Sequence, residues 1–251
     1  MAQRKPLIAG NWKMYKTIPE ARALVSGLKT NLAGITDREI LVCPPFTAVY
    51  AVAETLKGSN ISVGAQNLHW EKKGAFTGEI SPDMVVDAGC KYVVIGHSER
   101  RQFFGETDDS VNKKMKAAFA VGLTPIICVG ELLAEREGGT TFSVLERQVK
   151  IGTVGLTPEQ AGALVIAYEP VWAIGTGKTA TPQQAEEVHA YIRRLYAQLY
   201  SQPTADVIRI LYGGSVKPDN VAEIMKQENV DGALVGGASL DIESFTKLVK
   251  Y

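Results

Sequence analysis

Five short stretches of this sequence carry groups fit for chemistry, and each follows an apolar run. Gly10-Asn11-Trp12-Lys13 supplies an amide and an ammonium. Gly96-His97-Ser98-Glu99-Arg100 supplies an imidazole and a carboxylate, and Glu169-Pro170 a second carboxylate. Gly213-Gly214-Ser215 and Gly236-Gly237 are glycine clusters. A carboxylate paired with an imidazole can move protons to and from carbon and oxygen. Glycine lets backbone N–H groups come close to a ligand and form an anion nest, so two clusters in neighbouring loops suit a phosphate. Glu169 is the candidate base, with burial expected to raise its pKa and a lid expected to exclude water. Pro170 to Thr179 is small, glycine-rich and poor in charge. It reads as that lid, hinged at Pro170-Val171-Trp172 and Gly177-Lys178-Thr179. His97 is expected to be neutral in the free protein, because a helix opening at Ser98-Glu99-Arg100 would set its dipole against an imidazolium. Each residue also has a plainer reading: a surface glutamate, a packed histidine, a solvated lysine, turn glycines. What favours chemistry is their convergence on one set of strand ends.

Other features point away from other functions. Gly177-Lys178-Thr179 ends like a nucleotide-binding loop, but the glycine required five residues earlier is Trp172. His69 and His189 stand apart from His97 and read as structural. Cys43, Cys90 and Cys128 are far apart, odd in number and without a Cys-x-x-Cys, so neither a disulfide framework nor a zinc site is indicated. Charge is balanced, with 27 Lys+Arg against 27 Asp+Glu, which argues against a nucleic-acid partner. No apolar stretch is long enough to span a bilayer or serve as a signal peptide, so the expected location is the cytoplasm, with no membrane partner.

The elements that must position these groups are legible as a repeat. Apolar runs recur at Pro6–Gly10, Ile40–Cys43, Ile61–Ala65, Tyr92–Ile95, Pro125–Val129, Leu164–Tyr168, Val207–Leu211 and Ala233–Val235. They are rich in Val, Ile and Leu with little alternation, as in parallel strands buried on both faces. Helical segments lie between them. Val188, Ile192, Leu195 and Leu199 form an apolar stripe, opened by a capping box at Thr181-Pro182-Gln183-Gln184. Thr157-Pro158-Glu159-Gln160 repeats that signal, and Ser81-Pro82 marks another helix start. Eight such units in 251 residues predict an α/β fold, a closed (β/α)8 barrel in one domain, residues 1–251. An open doubly wound sheet is the rival. In a barrel the active site lies at the C-terminal strand ends, where all five stretches fall.

On these residues the sequence resembles the triosephosphate isomerases. The segments Ala9–Met14, Gly64–Asn67, Gly74–Glu79, Ile95–Arg101, Tyr168–Gly177, Tyr212–Val216 and Leu234–Ala238 match in the family's order across essentially the whole chain. The resemblance implies interconversion of dihydroxyacetone phosphate and glyceraldehyde 3-phosphate without a metal or organic cofactor. It implies Glu169 as base, a neutral His97 that polarises the carbonyl, Lys13 for developing charge and phosphate, Asn11 for orientation and Glu99 in support. It implies that N–H groups of Gly175, Ser215, Gly236 and Gly237 hold phosphate, and that Ile174 and Leu234 clamp over the base when the lid bearing Pro170 and Trp172 shuts. It implies a homodimer, with the Gly74–Glu79 loop, carrying Phe76 and Thr77, inserted beside the partner's site. Another phosphosugar barrel would share the glycines but lack the Glu169 lid and the Asn11–Lys13 pair. A non-enzymatic phosphate sensor would lack Glu169 or His97. All of these are present.

Overall fold

The computed structural model describes residues 4–174 and 180–251. Eight parallel strands close in chain order into a barrel, each paired with its sequence neighbours and the last with the first. They are β1 (Leu7–Asn11), β2 (Glu39–Cys43), β3 (Ile61–Ala65), β4 (Tyr92–Ile95), β5 (Thr124–Val129), β6 (Val165–Tyr168), β7 (Arg209–Tyr212) and β8 (Gly232–Val235). Among the described residues the helices outside them are α1 (Ile18–Asn31), α2 (Phe46–Leu56), α3 (Pro82–Asp87), α4 (Ser98–Phe103), α5 (Asp108–Ala120), α6 (Leu133–Glu137), α7 (Thr141–Thr153), α8 (Pro158–Ala163), α9 (Pro182–Leu199), α10 (Gln202–Val207), α11 (Val221–Met225) and α12 (Ile242–Val249). None is long and apolar enough to cross a membrane. The closed barrel excludes the open doubly wound sheet.

The lack of alternation in the strands has a direct cause, since both faces are buried. Leu7 and Ala9, Leu41 and Cys43, Val94, Ile126 and Cys128, Val165 and Ala167, Leu211 and Leu234 pack inside the barrel. The intervening Ile8, Ile40, Val42, Val93, Ile127, Ile166, Ile210 and Val235 belong to the layer shared with the helices. Side chains alternate along a strand. The inward series Leu7, Ala9 therefore continues to Asn11, Val165, Ala167 to Glu169, Leu211 to Gly213 and Leu234 to Gly236. Strand register alone aims these groups into the mouth.

The capping signals hold. Thr181 accepts from Gln184 N while the Gln184 side chain returns to Thr181 N, and Thr157 with Gln160 does the same. Ser81 caps α3 through Met84 N. Two expectations fail locally. Val207 does not open β7 but ends α10, because Ser201 caps a short helix there with Pro203 in its first turn. Leu199 leaves the buried stripe at the exposed end of α9, and Tyr196, His189 and Arg193 widen that face instead. The Arg193 guanidinium donates to Asp231 at 2.5 Å and to the carbonyls of Ala205 and Ile208, while Asp231 also accepts from Ile210 N. One buried ion pair thus ties α9, α10 and β7 at the end of the barrel opposite the mouth.

Phe245 of α12 is fully buried, with the tip of its ring in the space beside Gly10. Phe245→Ala should cost about 3–5 kcal/mol of stability, the range for emptying an aromatic core position. Urea denaturation would measure it. A loss below about 1 kcal/mol would mean that α12 is not anchored to β1 by this ring.

Candidate active site

Glu169 follows β6 and is 2% exposed. A buried carboxylate needs hydrogen-bonding partners, and two groups that follow β4 supply them. His97 Nε2 lies 2.9 Å from Oε1, and Ser98 N–H donates to Oε2 at 3.0 Å. His97 reaches this position because Gly96, at φ +72, turns the chain out of strand register. His97 then caps α4, its Nδ1 accepting from Glu99 N at 3.2 Å. A nitrogen that accepts carries no proton, so the imidazole proton sits on Nε2 and is donated to Glu169. The expected helix N-terminus at His97 is therefore present.

The titration directions run against expectation. Burial works to raise the Glu169 pKa, but His97, Ser98 N–H and Lys13 outweigh it and hold the carboxyl below its ordinary value. Burial works to lower the His97 pKa, but Glu169 and then Glu99 hold it above the ordinary range. In the free protein the Glu169 carboxylate is made harder to protonate and the imidazole easier, each by the other. Local sequence signals, burial and a helix start, gave both signs wrongly because the deciding contact joins residues 72 positions apart in the chain.

Lys13 completes the floor of the site. Its Nζ donates to Glu99 Oε1 at 2.5 Å, and Glu99 Oε2 lies 3.5 Å from His97 Nδ1. Lys13 has φ +53, the left-handed region that costs a non-glycine residue about 1–3 kcal/mol. Its backbone is held there by Asn11 Oδ1, which accepts Lys13 N–H at 3.1 Å, and by Gln66, which donates to the Lys13 and Cys43 carbonyls. Gln66 is a site-building residue that sequence reasoning placed only within a motif.

A cavity of about 260 Å³ is lined by Asn11, Lys13, His97, Glu169, Ile174, Ser215, Leu234, Gly236 and Gly237. It thus gathers the expected base, imidazole, cation, amide and glycine loops. Lys217 stands at its edge, a cation not anticipated. The glycines after β7 and β8 do not have the positive φ of a left-handed nest turn. At Gly213 the need is close approach, since a Cβ there would lie 2.8 Å from Glu169 Cγ. Pro170 and Trp172 begin the loop after Glu169, and Trp172 Nε1 donates to Glu131 Oε1 at 2.9 Å. Gly175 and the second hinge, Gly177-Lys178-Thr179, lie outside the described residues. Glu131 was missed entirely. It is fully buried, accepts from Tyr168 as well, and burial raises its pKa.

Thr77 and Phe76 do not line this cavity. They lie on an exposed loop, with Phe76 packed against the His69 ring at 4.4 Å. A second depression, about 240 Å³, borders Asn11, Lys13, His97 and Glu99 from another side, flanked by the apolar Met14, Phe46 and Phe104. All three are exposed, Met14 at 93%. This apolar rim also escaped the sequence reading. His69 and His189 stay structural: His189 is buried in α9 and burial drives its pKa down to about 3. No cluster of three or more His, Cys, Asp or Glu side chains that could hold a metal occurs among the described residues.

Closed parallel barrel and occupied C-terminal mouth together define a class, the (β/α)8-barrel enzymes. Comparison with known proteins narrows it. The family model described as triosephosphate isomerase matches residues 6–251. Triosephosphate isomerase of Endomicrobium trichonymphae is 64% identical over 248 residues, 99% of each chain. That of Carboxydothermus hydrogenoformans is 60% identical over 247 residues, 98% of each. The crystal structure of triosephosphate isomerase from Bartonella henselae superposes with a TM-score of 0.89 at 39% identity, over 98% of each chain. The chain belongs to the triosephosphate isomerase family.

The mutual pKa effect is directly measurable. Glu169→Gln removes the carboxylate that raises the His97 pKa, so that pKa should fall. NMR titration of the His97 ring in wild type and variant would follow it. An unchanged or higher value in the variant would show that Glu169 does not control the imidazole.

Proposed function

We propose that this protein interconverts dihydroxyacetone phosphate and D-glyceraldehyde 3-phosphate, a step of glycolysis and, in reverse, of gluconeogenesis. The observation that carries the reading is the 2.9 Å contact between Glu169 and His97 in the wall of a cavity that Lys13 also lines. Substrate entering this cavity would place its carbonyl oxygen against His97 Nε2–H and take that hydrogen bond from Glu169. Glu169 would then lose its strongest partner while staying buried, so its pKa would rise and it would become a competent base. His97, without the adjacent carboxylate, would lose the group that raises its pKa and keep the neutral form that burial and Glu99 N–H favour.

From that state Glu169 removes the proton on the carbon next to the carbonyl and returns it to the neighbouring carbon. His97 polarises the carbonyl and relays a proton between the two oxygens. Lys13 stabilises the negative charge of the enediolate and touches phosphate, and Asn11 orients the substrate. Glu99 is a positioning residue, holding Lys13 and His97 toward each other. Backbone N–H groups of Gly175, Ser215, Gly236 and Gly237 hold the phosphate. Ile174 and Leu234 dry the base when the loop carrying Pro170 and Trp172 closes. None of these steps calls on a metal or an organic cofactor.

The whole chain, residues 1–251, acts as one barrel domain. It works as a cytoplasmic homodimer with no nucleic-acid or membrane partner. The dimer is supported by exposed Phe76 and by the apolar rim of Met14, Phe46 and Phe104 beside the site. The loop bearing Thr77 and Phe76 would enter the partner's depression next to Lys13 and His97.

Glu169→Gln should cut turnover by roughly 10²–10⁴-fold or more, as loss of a general base does, with folding intact. A coupled isomerase assay beside circular dichroism tests this, and near-normal turnover would remove Glu169 as the base. Thr77→Arg should give monomers of severely reduced activity. Sedimentation of a variant that stays dimeric, or of a monomer that stays fully active, would refute the inserted loop.

A further inference from the structure

Glu169 is almost sealed from solvent, yet it borders two cavities. The front one is the site described above. The other, about 420 Å³, lies behind it, with Ser98, Gln102, Thr107, Leu132 and Gln148 in its lining. The two carboxylate oxygens divide between them. Oε1 contacts His97, which borders the front cavity and not the back one. Oε2 is held by the N–H of Ser98, which borders the back cavity and not the front one.

The back cavity has a largely apolar wall, but it offers water polar partners along its length. A water molecule needs about 30 Å³ and roughly two to four polar partners. Hydroxyls of Ser98 and Thr107 and amides of Gln102 and Gln148 line the space. Gln148 is fixed by exchanging hydrogen bonds with the backbone of Gly130, at 2.7 and 3.1 Å. At the outer end Gln102 and Leu132 are exposed, Leu132 at 53%, so the cavity reaches the surface. During turnover the front offers no such path. On the proposed mechanism substrate fills it, with Ile174 and Leu234 over it.

We infer that the back cavity is the route by which the proton held on Glu169 exchanges with solvent while the enediolate waits in front. This rests on Glu169 being the base. After a deuteron is taken from carbon, Glu169 is a neutral carboxylic acid. The carboxyl turns about its Cγ–Cδ bond so that the O–D faces the back cavity. The O–D bond then breaks toward a back-cavity water as an O–H bond forms from the same chain of water, giving HOD and the protonated acid, and the carboxyl turns back. No charge or electron is transferred overall. The enediolate then receives hydrogen rather than the original deuterium. The width of the back cavity, not the front site, sets how much label is lost.

The test follows substrate deuterated at the transferred position, turned over in ordinary water, with retained label in the product read by NMR. Gln102→Trp with Leu132→Trp plugs the outer end and touches none of the proposed machinery. The ratio of retained to exchanged label should rise at least about twofold, with kcat/KM within about twofold of wild type. Gln102→Ala with Leu132→Ala widens the same opening and should lower that ratio, which also covers a plugged variant that fails to fold. An unchanged ratio in active variants overturns the route and leaves Glu169 as base. Label transfer of wild-type efficiency in Glu169→Gln overturns both.

Discussion

A charge taken out of water must be met by partners, and Glu169 is the place where this constraint organises the molecule. Its carboxylate is met by the His97 ring and the Ser98 N–H. Those groups follow β4, whereas Glu169 follows β6, so the intervening β5 must end level with both. It ends at Val129, and the next residue is Gly130, where a Cβ would lie 1.7 Å from the Glu169 carbonyl oxygen. The barrel's register, the positive-φ turn at Gly96 and the bare backbone at Gly130 serve the same contact. The same contact gives the free site its resting character, with carboxylate and imidazole holding each other.

Much of this was legible in the sequence. The strand runs, the capping boxes at Thr157 and Thr181 and the glycine clusters are local signals, and local signals survive reading in one dimension. The barrel followed from counting them, and the ring of candidate groups from one rule about strand ends. Errors came where a local signal had two meanings. Val207 is apolar and precedes a strand, but Ser201 and Pro203 make its segment a helix. Leu199 has helical spacing but falls where α9 runs out into solvent. Glu131 was missed, and Gln66 was placed only within a motif, because nothing near them in sequence reveals that one meets Trp172 and the other the Lys13 carbonyl. The signs of the Glu169 and His97 shifts were unreadable for the same reason. Burial is a property of one residue, whereas an ion pair is a property of two.

The two ends of the barrel solve opposite problems with similar groups. Away from the mouth, Arg193 donates to the Ala205 and Ile208 carbonyls and to Asp231, whose carboxylate also takes Arg4 and Ile210 N–H, and together they hold α9, α10 and β7 in fixed relation. At the mouth, Glu99 and Lys13 are only partly covered and each keeps capacity for a further partner. An ion pair with every valence satisfied is a clamp, and one left incomplete is a receptor.

The backbone at Lys13 extends that contrast. A lysine in the left-handed region would be more comfortable as glycine, and Asn11 and Gln66 are both enlisted to keep it there. A thermostability screen would favour glycine at this position, because it relieves the chain at once. The same change would discard the ammonium that meets Glu99. Position 13 is therefore one where relief of the backbone and retention of a charge at the mouth pull toward different amino acids, and its occupant reports which of the two prevailed.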